Sequence, residues 1–376
     1  MSRTHIRLSV VAGTLAPLLI GAALVAGTIW LSIGTPAAAV QTDGRRIPTF
    51  VVDPSWPKVP AKWKLGDVSS FAIDAQDNVW ALHRPRTLLK PEEIEMAAPP
   101  VVVFDAAGNF IRAWGGAGSG YEWPEREHGI YIDNKGFVWI SGNNCPTNGL
   151  PRVRPVNDDQ ILKFSPDGTF VLQIGRSTQS KGNADTRNVN RASDMAVHAP
   201  TNELFVADGY GNRRIVVFDA TSGAFKRMWG AFGNRPVDDY HCEVVRMSGF
   251  LPGPGPEQFN TLHAIRVAKD GMVYVADREN RRVQSFTAAG KFVKQLIKTD
   301  SLFARDLTFS PDPAQQFLYV GNGDDILVLN RATLDIVGAI NTPGILNGHH
   351  MATDSKGNIY IAGATRGYQK LAIKGM

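Results

Sequence analysis

Three histidines recur at one position of a repeated strand pair. His128, His263 and His349 each lie ten residues before a strand-like segment, which reads "VWISGN", "VYVADR" and "IYIAGA" in turn. Three neutral imidazoles around an open position are what a catalytic zinc ion requires, at Zn–N distances of roughly 2.0–2.1 Å. A lone histidine at such a place more often caps or hydrogen-bonds a loop, but the shared offset favours a metal site.

Arginine or tyrosine follows the same kind of segment in other copies. Arg84 and Arg278 lie five residues after the start of their segments, and Tyr210 lies six residues after the start of its own. A guanidinium suits a carboxylate, which it binds through two parallel hydrogen bonds. A tyrosine beside a divalent cation and two arginines is a candidate base. The alternative interpretation is ion pairs between repeats and a packed aromatic ring.

These segments belong to six copies of one strand pattern. The copies begin at Val79, Val138, Leu204, Val273, Leu318 and Ile359, with spacings of 59, 66, 69, 45 and 41 residues. Another short alternating segment precedes each copy, turn residues separate the segments, and no stretch has a helical period. Four-stranded units repeated in this way predict an all-β fold, a six-bladed β-propeller with insertions.

The carboxyl end of the chain predicts how the ring closes. After Ile359 only 17 residues remain, enough to complete one strand and add the strand "YQKLAI". The sixth blade therefore lacks its outer strand. We expect "PTFVVD" at 48–53 to supply that strand, because the exposed edges at both ends of the chain are then satisfied.

A propeller would bring the chemical residues to one mouth of its central channel. The first strand of each blade lines the channel, so the histidines of blades two, four and six converge on the axis. Ser69 and Asp194 are expected at the matching positions of blades one and three, with Asp306 nearest in blade five. The chain returns on the second strand, which places the two arginines and the tyrosine over the same mouth.

The first 39 residues predict export. Arg3 and Arg7 precede an uncharged apolar run in which residues 8–34 are long enough to span a bilayer, and residues 37–39 offer an Ala-x-Ala cleavage site. The positive amino-terminal side places the remainder outside the cytoplasm, in the periplasm or the extracellular space. Cleavage and retention as a membrane tether both stay open. We expect a signal peptide or anchor (1–39), a linker with the ring-closing strand (40–66) and the propeller (67–376).

Composition excludes some classes of partner. The chain of 376 residues is 43% hydrophobic and 20% charged, with a net charge of +5. It has no run or stripe of basic residues, so we expect no nucleic-acid binding. We expect a monomer that acts on a small-molecule or peptide substrate. The two cysteines, Cys145 and Cys242, are either a disulfide or two separate buried thiols.

Several longer stretches carry a family resemblance. They are "ALHRPR", "EHGIYIDNKG", "IGRSTQS", "ASDMAVHAPTNELFVADGYGNRRIVVFD", "LHAIRVAKDGMVYVADRENRRVQSF" and "GHHMATDSKGNIYIAG". They span most of 68–364, and "VADGYGNRRIVVF" is more specific than general propeller sequence. The sequence resembles the peptidyl-α-hydroxyglycine α-amidating lyases, a branch of the NHL-repeat six-bladed propellers.

The resemblance implies a reaction and a role for each candidate residue. The family cleaves the C–N bond of a peptide ending in α-hydroxyglycine and releases a peptide amide and glyoxylate. By resemblance, the zinc (Zn²⁺) ligands are His128, His263 and His349. Tyr210 would be the catalytic base, and Arg84 and Arg278 would bind the substrate carboxylate and surround the reacting hydroxyl.

Two departures from the family pattern matter. The family has an aspartate after its third zinc histidine, and that residue helps to bind a structural calcium ion (Ca²⁺). Here the position is His350, which speaks against a calcium site. A disulfide around the catalytic tyrosine is also not expected, because Gly211 follows Tyr210 and Arg191 stands at the partner position.

Three insertions are expected to rise around the active mouth and reshape the pocket. They read "TLLKPEEIEMAAPP", "NNCPTNGLPRVRPVNDD" and "RPVDDYHCEVVRMSGFLPGPGPEQF".

The sequence supports three hypotheses about function. The first is an exported zinc lyase acting on an α-hydroxyglycine-type substrate. The second is a metal-dependent lyase or hydrolase that uses the same site on a different small substrate. The third is a non-catalytic NHL propeller that binds protein or glycan.

Overall fold

The computed structural model describes residues 47–238, 257–298, 301–346 and 348–375. The predicted signal peptide or anchor at 1–39 and the second cysteine, Cys242, lie outside the described residues. Cys145 is disulfide-bonded. Within the described ranges, none of the helices has the length and apolar character needed to cross a bilayer.

Each of the first three blades is an antiparallel sheet of four strands that follow one another in sequence. Blade one contains β2 (Asp67–Ile73), β3 (Val79–Arg84), β4 (Val101–Phe104) and β5 (Phe110–Trp114). Blade two contains β6 (Glu127–Ile132), β7 (Val138–Gly142), β8 (Gln160–Phe164) and β9 (Phe170–Gly175). Blade three contains β10 (Asp194–His198), β11 (Glu203–Asp208), β12 (Arg214–Asp219) and β13 (Phe225–Trp229).

The remaining blades repeat this plan, and the last one closes the ring. Blade four contains β14 (Leu262–Val267), β15 (Val273–Asp277), β16 (Arg282–Phe286) and β17 (Phe292–Ile297). Blade five contains β18 (Asp306–Phe309), β19 (Phe317–Gly321), β20 (Ile326–Asn330) and β21 (Ile336–Ile340). Blade six contains β22 (His350–Thr353), β23 (Ile359–Ala362), β24 (Tyr368–Gly375) and, as its outer strand, β1 (Thr49–Asp53). The all-β, six-bladed propeller closed by an amino-terminal strand is therefore confirmed.

Helical structure is confined to short connections among the described residues. The α-helix is α1 (Pro91–Glu95), and the 3₁₀ turns are Pro85–Thr87, Pro146–Asn148 and Ala231–Gly233. Two of these, α1 and Pro146–Asn148, lie in predicted insertions. Both insertions join a second strand to a third strand.

The first strands of the blades form the wall of the central channel. They contact one another in the order β2, β6, β10, β14, β18, β22 and back to β2. A cavity of about 130 Å³ lies in the part of the channel lined by Ala72, Tyr131, Arg266 and Thr308. Residues at the amino-terminal ends of these strands therefore meet near the axis at the other end.

Aspartate turns set the hairpin between the first and second strands of three blades. In blade two, Asp133 Oδ1 accepts hydrogen bonds from backbone N–H groups two and four residues later, and Oδ2 accepts one from Trp139 Nε1 at 3.0 Å. Asp74 and Asp354 do the same in blades one and six, where the last donor is Trp80 Nε1 or Tyr360 Oη. Side chains of this type favour turns because they satisfy the local backbone.

Hydrophobic clusters fill the spaces between neighbouring blades. Each of the six clusters is shared by two adjacent blades, and Leu82, Ile140 and Phe164 illustrate the one between blades one and two. Fully burying one such side chain contributes roughly 1.5–3 kcal/mol. This packing holds each inner strand in register with the next, which the site requires.

Candidate active site

The inner strands are irregular at the end where the chemical residues lie. The register between first and second strands shifts between Val68 and Ser70, between Glu127 and Ile130, and between Leu262 and Ala264. In blades three, five and six, the residue just before the strand donates its N–H to the second strand, from Ser193 to Ala207, Arg305 to Gly321 and His349 to Ala362. Irregularities of this kind change the direction in which the side chains point.

The structure brings the three predicted histidines together at the channel mouth. The ring centroids of His128 and His263 are 5.2 Å apart, those of His128 and His349 are 4.7 Å apart, and those of His263 and His349 are 4.8 Å apart. Together with His350, each offers a ring nitrogen within 4.8 Å of the others. The arrangement is compact enough for the nitrogens to face one ion.

Backbone carbonyls of the odd-numbered blades orient the three rings. His128 Nδ1 donates to the carbonyl of Ser193 at 2.7 Å, His263 Nδ1 to that of Arg305 at 2.5 Å and His349 Nδ1 to that of Ser69 at 2.8 Å. Because Nδ1 carries the proton, Nε2 keeps its lone pair. Histidine ligands of metals are typically held in this way.

The residues fit a metal that prefers nitrogen ligands. His263 Nε2 is buried and, among the described residues, has no hydrogen-bond partner. A buried polar atom without a partner is costly, so such an atom calls for an explanation. A divalent ion with affinity for imidazole would satisfy it.

Electrostatics keeps the three imidazoles neutral. Burial, reinforced by the neighbouring histidines and by Arg84, holds the pKa of His128 well below its usual value. Burial also lowers the pKa of His263, with Arg278 as the next cause, and that of His349, with His350 as the next cause. At neutral pH the rings are therefore bases, which is the form that binds metal.

Tyr210 lies against this cluster, two residues after the end of β11. Its hydroxyl donates to His128 Nε2 at 3.0 Å and accepts a hydrogen bond from Arg278 Nη1 at 3.4 Å. The phenol ring packs against His128 and His263, with centroids 4.9 Å and 5.8 Å away. The phenol oxygen is thus within hydrogen-bond reach of one imidazole and one guanidinium.

Arg84 is the last residue of β3 and is almost fully buried. Its Nε donates to the backbone carbonyl of Glu127 at 2.7 Å. Burial, and then the nearby charge of Arg126, lowers the pKa of Arg84 to about 10, so the side chain is still charged at neutral pH. Its charge is close enough to lower the pKa of His128 and of His349.

Arg278 approaches from blade four, directly after β15. It pairs with Glu279, whose Oε1 lies 2.9 Å from Nε and 2.8 Å from Nη2. Its guanidinium carbon is 5.7 Å from the centroid of the Tyr210 ring. Sequence reasoning missed Glu279, which would have to share Arg278 with any substrate carboxylate.

The prediction for two of the non-histidine positions is wrong. Asp194 and Asp306 lie one residue deeper in the channel than the histidines, and Ser193 and Arg305 are level with the histidines instead. Ser69 is level with them, as its carbonyl bond to His349 requires.

The error comes from the length of the hairpins. The residue that starts each copy of the repeated segment pairs with one further back in blades three and five: Val138 pairs with Ile132, Leu204 with Val197 and Leu318 with Phe309. The turns of blades three and five are therefore longer than that of blade two. A fixed offset from the second strand then points to the wrong residue of the first strand.

A second cluster lies below the histidines and was not anticipated. Arg266 Nη1 forms an ion pair with Asp194, and Arg266 Nη2 lies 3.4 Å from Asp306 Oδ1. Burial works against the charged guanidinium, but Asp194 and Asp306 outweigh it and raise the pKa of Arg266. Because the guanidinium holds the carboxylates that a hard cation would need, these residues do not fit Ca²⁺.

Arg191 supports the loop that carries Tyr210. Its Nη2 donates to the carbonyl of Tyr210 at 2.5 Å, and the N–H of Gly211 donates to the carbonyl of Asn190 at 3.0 Å. A Cβ added to Gly211 would lie 2.0 Å from Asn190 Oδ1, so a larger residue there would displace the Asn190 side chain. The sequence predicts no disulfide here, and hydrogen bonds join the two loops. No spacing in the sequence marks these bonds.

Two of the predicted insertions meet beside Arg84. Arg152, in the insertion of blade two, donates from Nη1 to the carbonyl of Leu88 at 2.7 Å. Arg154 pairs with Glu125 at 2.6 Å, just before β6. These contacts lie at the ends of the second strands, at the same channel mouth as the histidines. Most of the third insertion lies outside the described residues.

The fold and the repeated four-stranded plan of the blades define a β-propeller protein. A family model described as the beta-propeller repeat matches residues 337–368, which run from the outer strand of blade five through the first two strands of blade six. The solved structure of a streptogramin B lyase aligns with a TM-score of 0.52, covering 86% of this chain and 98% of that one. At 11% sequence identity this likeness shows the fold alone.

Similar curated proteins indicate a narrower class than β-propeller proteins in general. Peptidyl-glycine alpha-amidating monooxygenase B of Xenopus laevis is 27% identical over 83% of this chain and 34% of its own length. A probable peptidyl-alpha-hydroxyglycine alpha-amidating lyase of Caenorhabditis elegans is 25% identical over 61% of this chain and 57% of its own. NHL repeat-containing protein 3 of Mus musculus is 24% identical over 64% and 57%.

These relatives confirm the family resemblance. The chain is related to the peptidyl-α-hydroxyglycine α-amidating lyases and to NHL-repeat proteins. It spans about a third of the length of the Xenopus monooxygenase. The relatives support a propeller related to an enzyme.

Proposed function

We propose that this protein is a metal-dependent carbon–nitrogen lyase. Its substrate would be an N-substituted α-hydroxyglycine, which it would cleave to an amide and glyoxylate. One observation carries the proposal: three neutral imidazoles from alternate blades face a phenol hydroxyl and two guanidiniums at the same channel mouth. A propeller that only binds a partner has no need of this set.

The metal would be Zn²⁺, held by Nε2 of His128, His263 and His349. Imidazole nitrogens suit zinc, and three protein ligands leave a position open for substrate. When bound, the ion would supply a Lewis acid that makes the substrate hydroxyl more acidic. The fit is supported by the carbonyl bonds that turn all three lone pairs toward the axis.

Tyr210 would act as the base. As a phenolate, Tyr210 would take the proton of the substrate hydroxyl, a C=O bond would form at that carbon, and the C–N bond would break with its electron pair moving to nitrogen. The nitrogen then receives a proton, which the phenol can return, so the step is balanced without a co-reactant. Arg278 Nη1 donates a hydrogen bond to the phenol oxygen at 3.4 Å and so helps to hold that oxygen in position.

The two arginines would bind the substrate carboxylate. Both guanidiniums are charged at neutral pH and lie at the mouth, and Arg84 is fixed by its bond to the carbonyl of Glu127. Holding the carboxylate between them orients the α-carbon toward the base. Arg278 would share its charge with Glu279. An amide or alcohol that lacks the carboxylate of the substrate is therefore expected to bind poorly.

We also propose that the protein acts outside the cytoplasm as a monomer. The apolar run at 8–34 and the possible cleavage site at 37–39 support export, with or without a membrane tether. Nothing in the charge pattern favours nucleic acid as a partner.

The decisive experiment combines metal analysis with a product assay. Purified protein is analysed for bound metal and then assayed for glyoxylate on a peptide ending in α-hydroxyglycine, with Tyr210→Phe as the control. About one metal ion per chain and glyoxylate release by the wild type alone would support the proposal. Stoichiometric metal without glyoxylate would favour a lyase or hydrolase of a different small substrate. Neither metal nor turnover would favour a non-catalytic NHL propeller that binds protein or glycan.

A further inference from the structure

A fourth histidine lies inside the cluster formed by the first three. His350 is the first residue of β22, and its ring centroid is 5.1 Å from that of His128, 5.0 Å from that of His263 and 4.7 Å from that of His349. Its side chain is 1% exposed. One ring nitrogen of His350 belongs to the same set of nitrogens that lie within 4.8 Å of one another.

The hydrogen bonding of His350 is incomplete. Among the described residues, neither ring nitrogen has a hydrogen-bond partner of good geometry. Nδ1 lies 3.5 Å from Asp306 Oδ1, the closest charged group recorded for it. Leaving a buried imidazole in this state is unfavourable unless another group satisfies it.

Asp306 lies beside Nδ1 of His350 and is itself held firmly. The carboxylate accepts the backbone N–H of Met351 and lies 3.4 Å from Arg266 Nη2. It therefore faces Nδ1 of His350, and a proton on Nδ1 leaves the lone pair of Nε2 available. A carboxylate behind an imidazole is a common support for a metal-bound histidine.

The charges below the cluster favour a cation. Asp194, Asp306 and Arg266 are buried together, and two carboxylates against one guanidinium leave one negative charge. That charge lies on the channel side of the histidines. Tyr210 and the two arginines lie on the other side, beyond the ends of the strands.

We propose that His350 is a fourth nitrogen ligand of the ion held by His128, His263 and His349. The site is then a four-imidazole centre, bound from the channel side by His350, and a substrate oxygen on the Tyr210 side would be a fifth ligand. This inference rests on the metal site of the proposed function. It adds a ligand that the three-histidine pattern does not contain, and it selects a transition ion over a hard cation.

The ligand count can be measured directly on the cobalt form. The purified full chain is stripped of metal and reloaded with Co²⁺, and proton NMR is recorded for the hyperfine-shifted, exchangeable imidazole N–H resonances. Each bound histidine contributes one such resonance, because each keeps its proton on Nδ1. We expect four in the wild type and three in His350→Gln.

A competition titration with a chelator supplies the second readout. We expect His350→Gln to bind Co²⁺ at least about tenfold more weakly than the wild type, as the loss of one ligand or its support requires. The matched control is His198→Gln, which changes a histidine far from the cluster and should keep both the wild-type affinity and four resonances. The wild-type count does not depend on any variant folding.

The possible results separate the two proposals. Three resonances in the wild type, with unchanged affinity in His350→Gln, would overturn the fourth ligand and leave the three-histidine site intact. No bound Co²⁺ in the wild type would overturn the metal site itself, and with it both proposals. Four resonances together with the weakened variant would establish the inference.

Discussion

The even-numbered and odd-numbered blades differ at the same level of the channel. Blades two, four and six place His128, His263 and His349 there, whereas blades one, three and five present the backbone carbonyls that accept their Nδ1 protons. The strand ends are irregular in both groups. The same backbone feature thus supports two roles.

This difference shows at which of the equivalent positions the identity of the side chain matters. An even blade contributes an imidazole, which only histidine supplies. An odd blade contributes a carbonyl at Ser69, Ser193 or Arg305, which any residue supplies if the backbone is unchanged. Substitutions at equivalent positions should therefore have unequal effects, and the following predictions run from the largest to the smallest.

Removing an imidazole should have the largest effect. His349→Ala deletes a proposed ligand, so we expect loss of stoichiometric metal and turnover at background level, measured by elemental analysis and glyoxylate release. The control is Ser69→Ala, which keeps the carbonyl that His349 uses and loses one bond, from Ser69 Oγ to Leu82 at 3.2 Å. Equal metal loss in both variants would contradict the division of roles.

Removing the phenol oxygen should be the next largest change. In Tyr210→Phe we expect kcat to fall by about 10² to 10⁴-fold, the usual contribution of a positioned base. Bound metal should be unchanged, because Tyr210 is not itself a proposed ligand and the metal would replace its hydrogen bond to His128 Nε2. A variant that loses metal along with activity would show that the tyrosine supports the site and is not the base.

Loosening the Tyr210 loop should have an intermediate effect. Arg191→Leu removes the hydrogen bond to the Tyr210 carbonyl, and a misplacement of about 1 Å can reduce turnover by about 100-fold. We expect kcat to fall, with KM and bound metal little changed, and partial rescue by Arg191→Lys. Arg187→Leu, at an exposed position of the same loop, is the matched control. A rise in KM with kcat unchanged would argue against a positioning role.

An ion pair of an odd blade should give the smallest effect and should not reach the site. Hydrogen bonds from Arg227, against an opposing effect of burial, lower the pKa of Glu203 from 4.5 to about 2. The folded state is therefore stabilised above pH 4.5, and this contribution is lost as the pH falls from about 4.5 toward 2.

The size of that contribution is limited by solvent. Glu203 is buried, but its partner Arg227 is 28% exposed, so we expect the pair to be worth about 1 kcal/mol, the upper end for a surface pair. We expect Glu203→Gln to reduce the free energy of unfolding at pH 7 by this amount and to flatten its decrease below pH 4.5, measured by urea denaturation. Metal content should stay at the wild-type level. A change in metal binding would mean that the far end of blade three communicates with the mouth.

Repetition made much of the fold predictable from the sequence. Six copies of one strand pattern indicated the blades, and a missing last strand indicated that 48–53 would close the ring, which β1 does. The histidine offset worked because the hairpins of blades two, four and six have the same length. Where the hairpin was longer, at Asp194 and Asp306, the same method failed.

The sequence by itself determined which residue types recur and at what spacing, because hydrophobic alternation and turn residues are local properties. The tertiary structure alone decided which groups face one another. The bond from Arg191 to Tyr210, the carbonyls behind the histidines, and Arg266 between two aspartates all join different blades or separate loops. Such contacts depend on how neighbouring blades pack around the axis, and no local sequence pattern encodes the distance between residues of different blades.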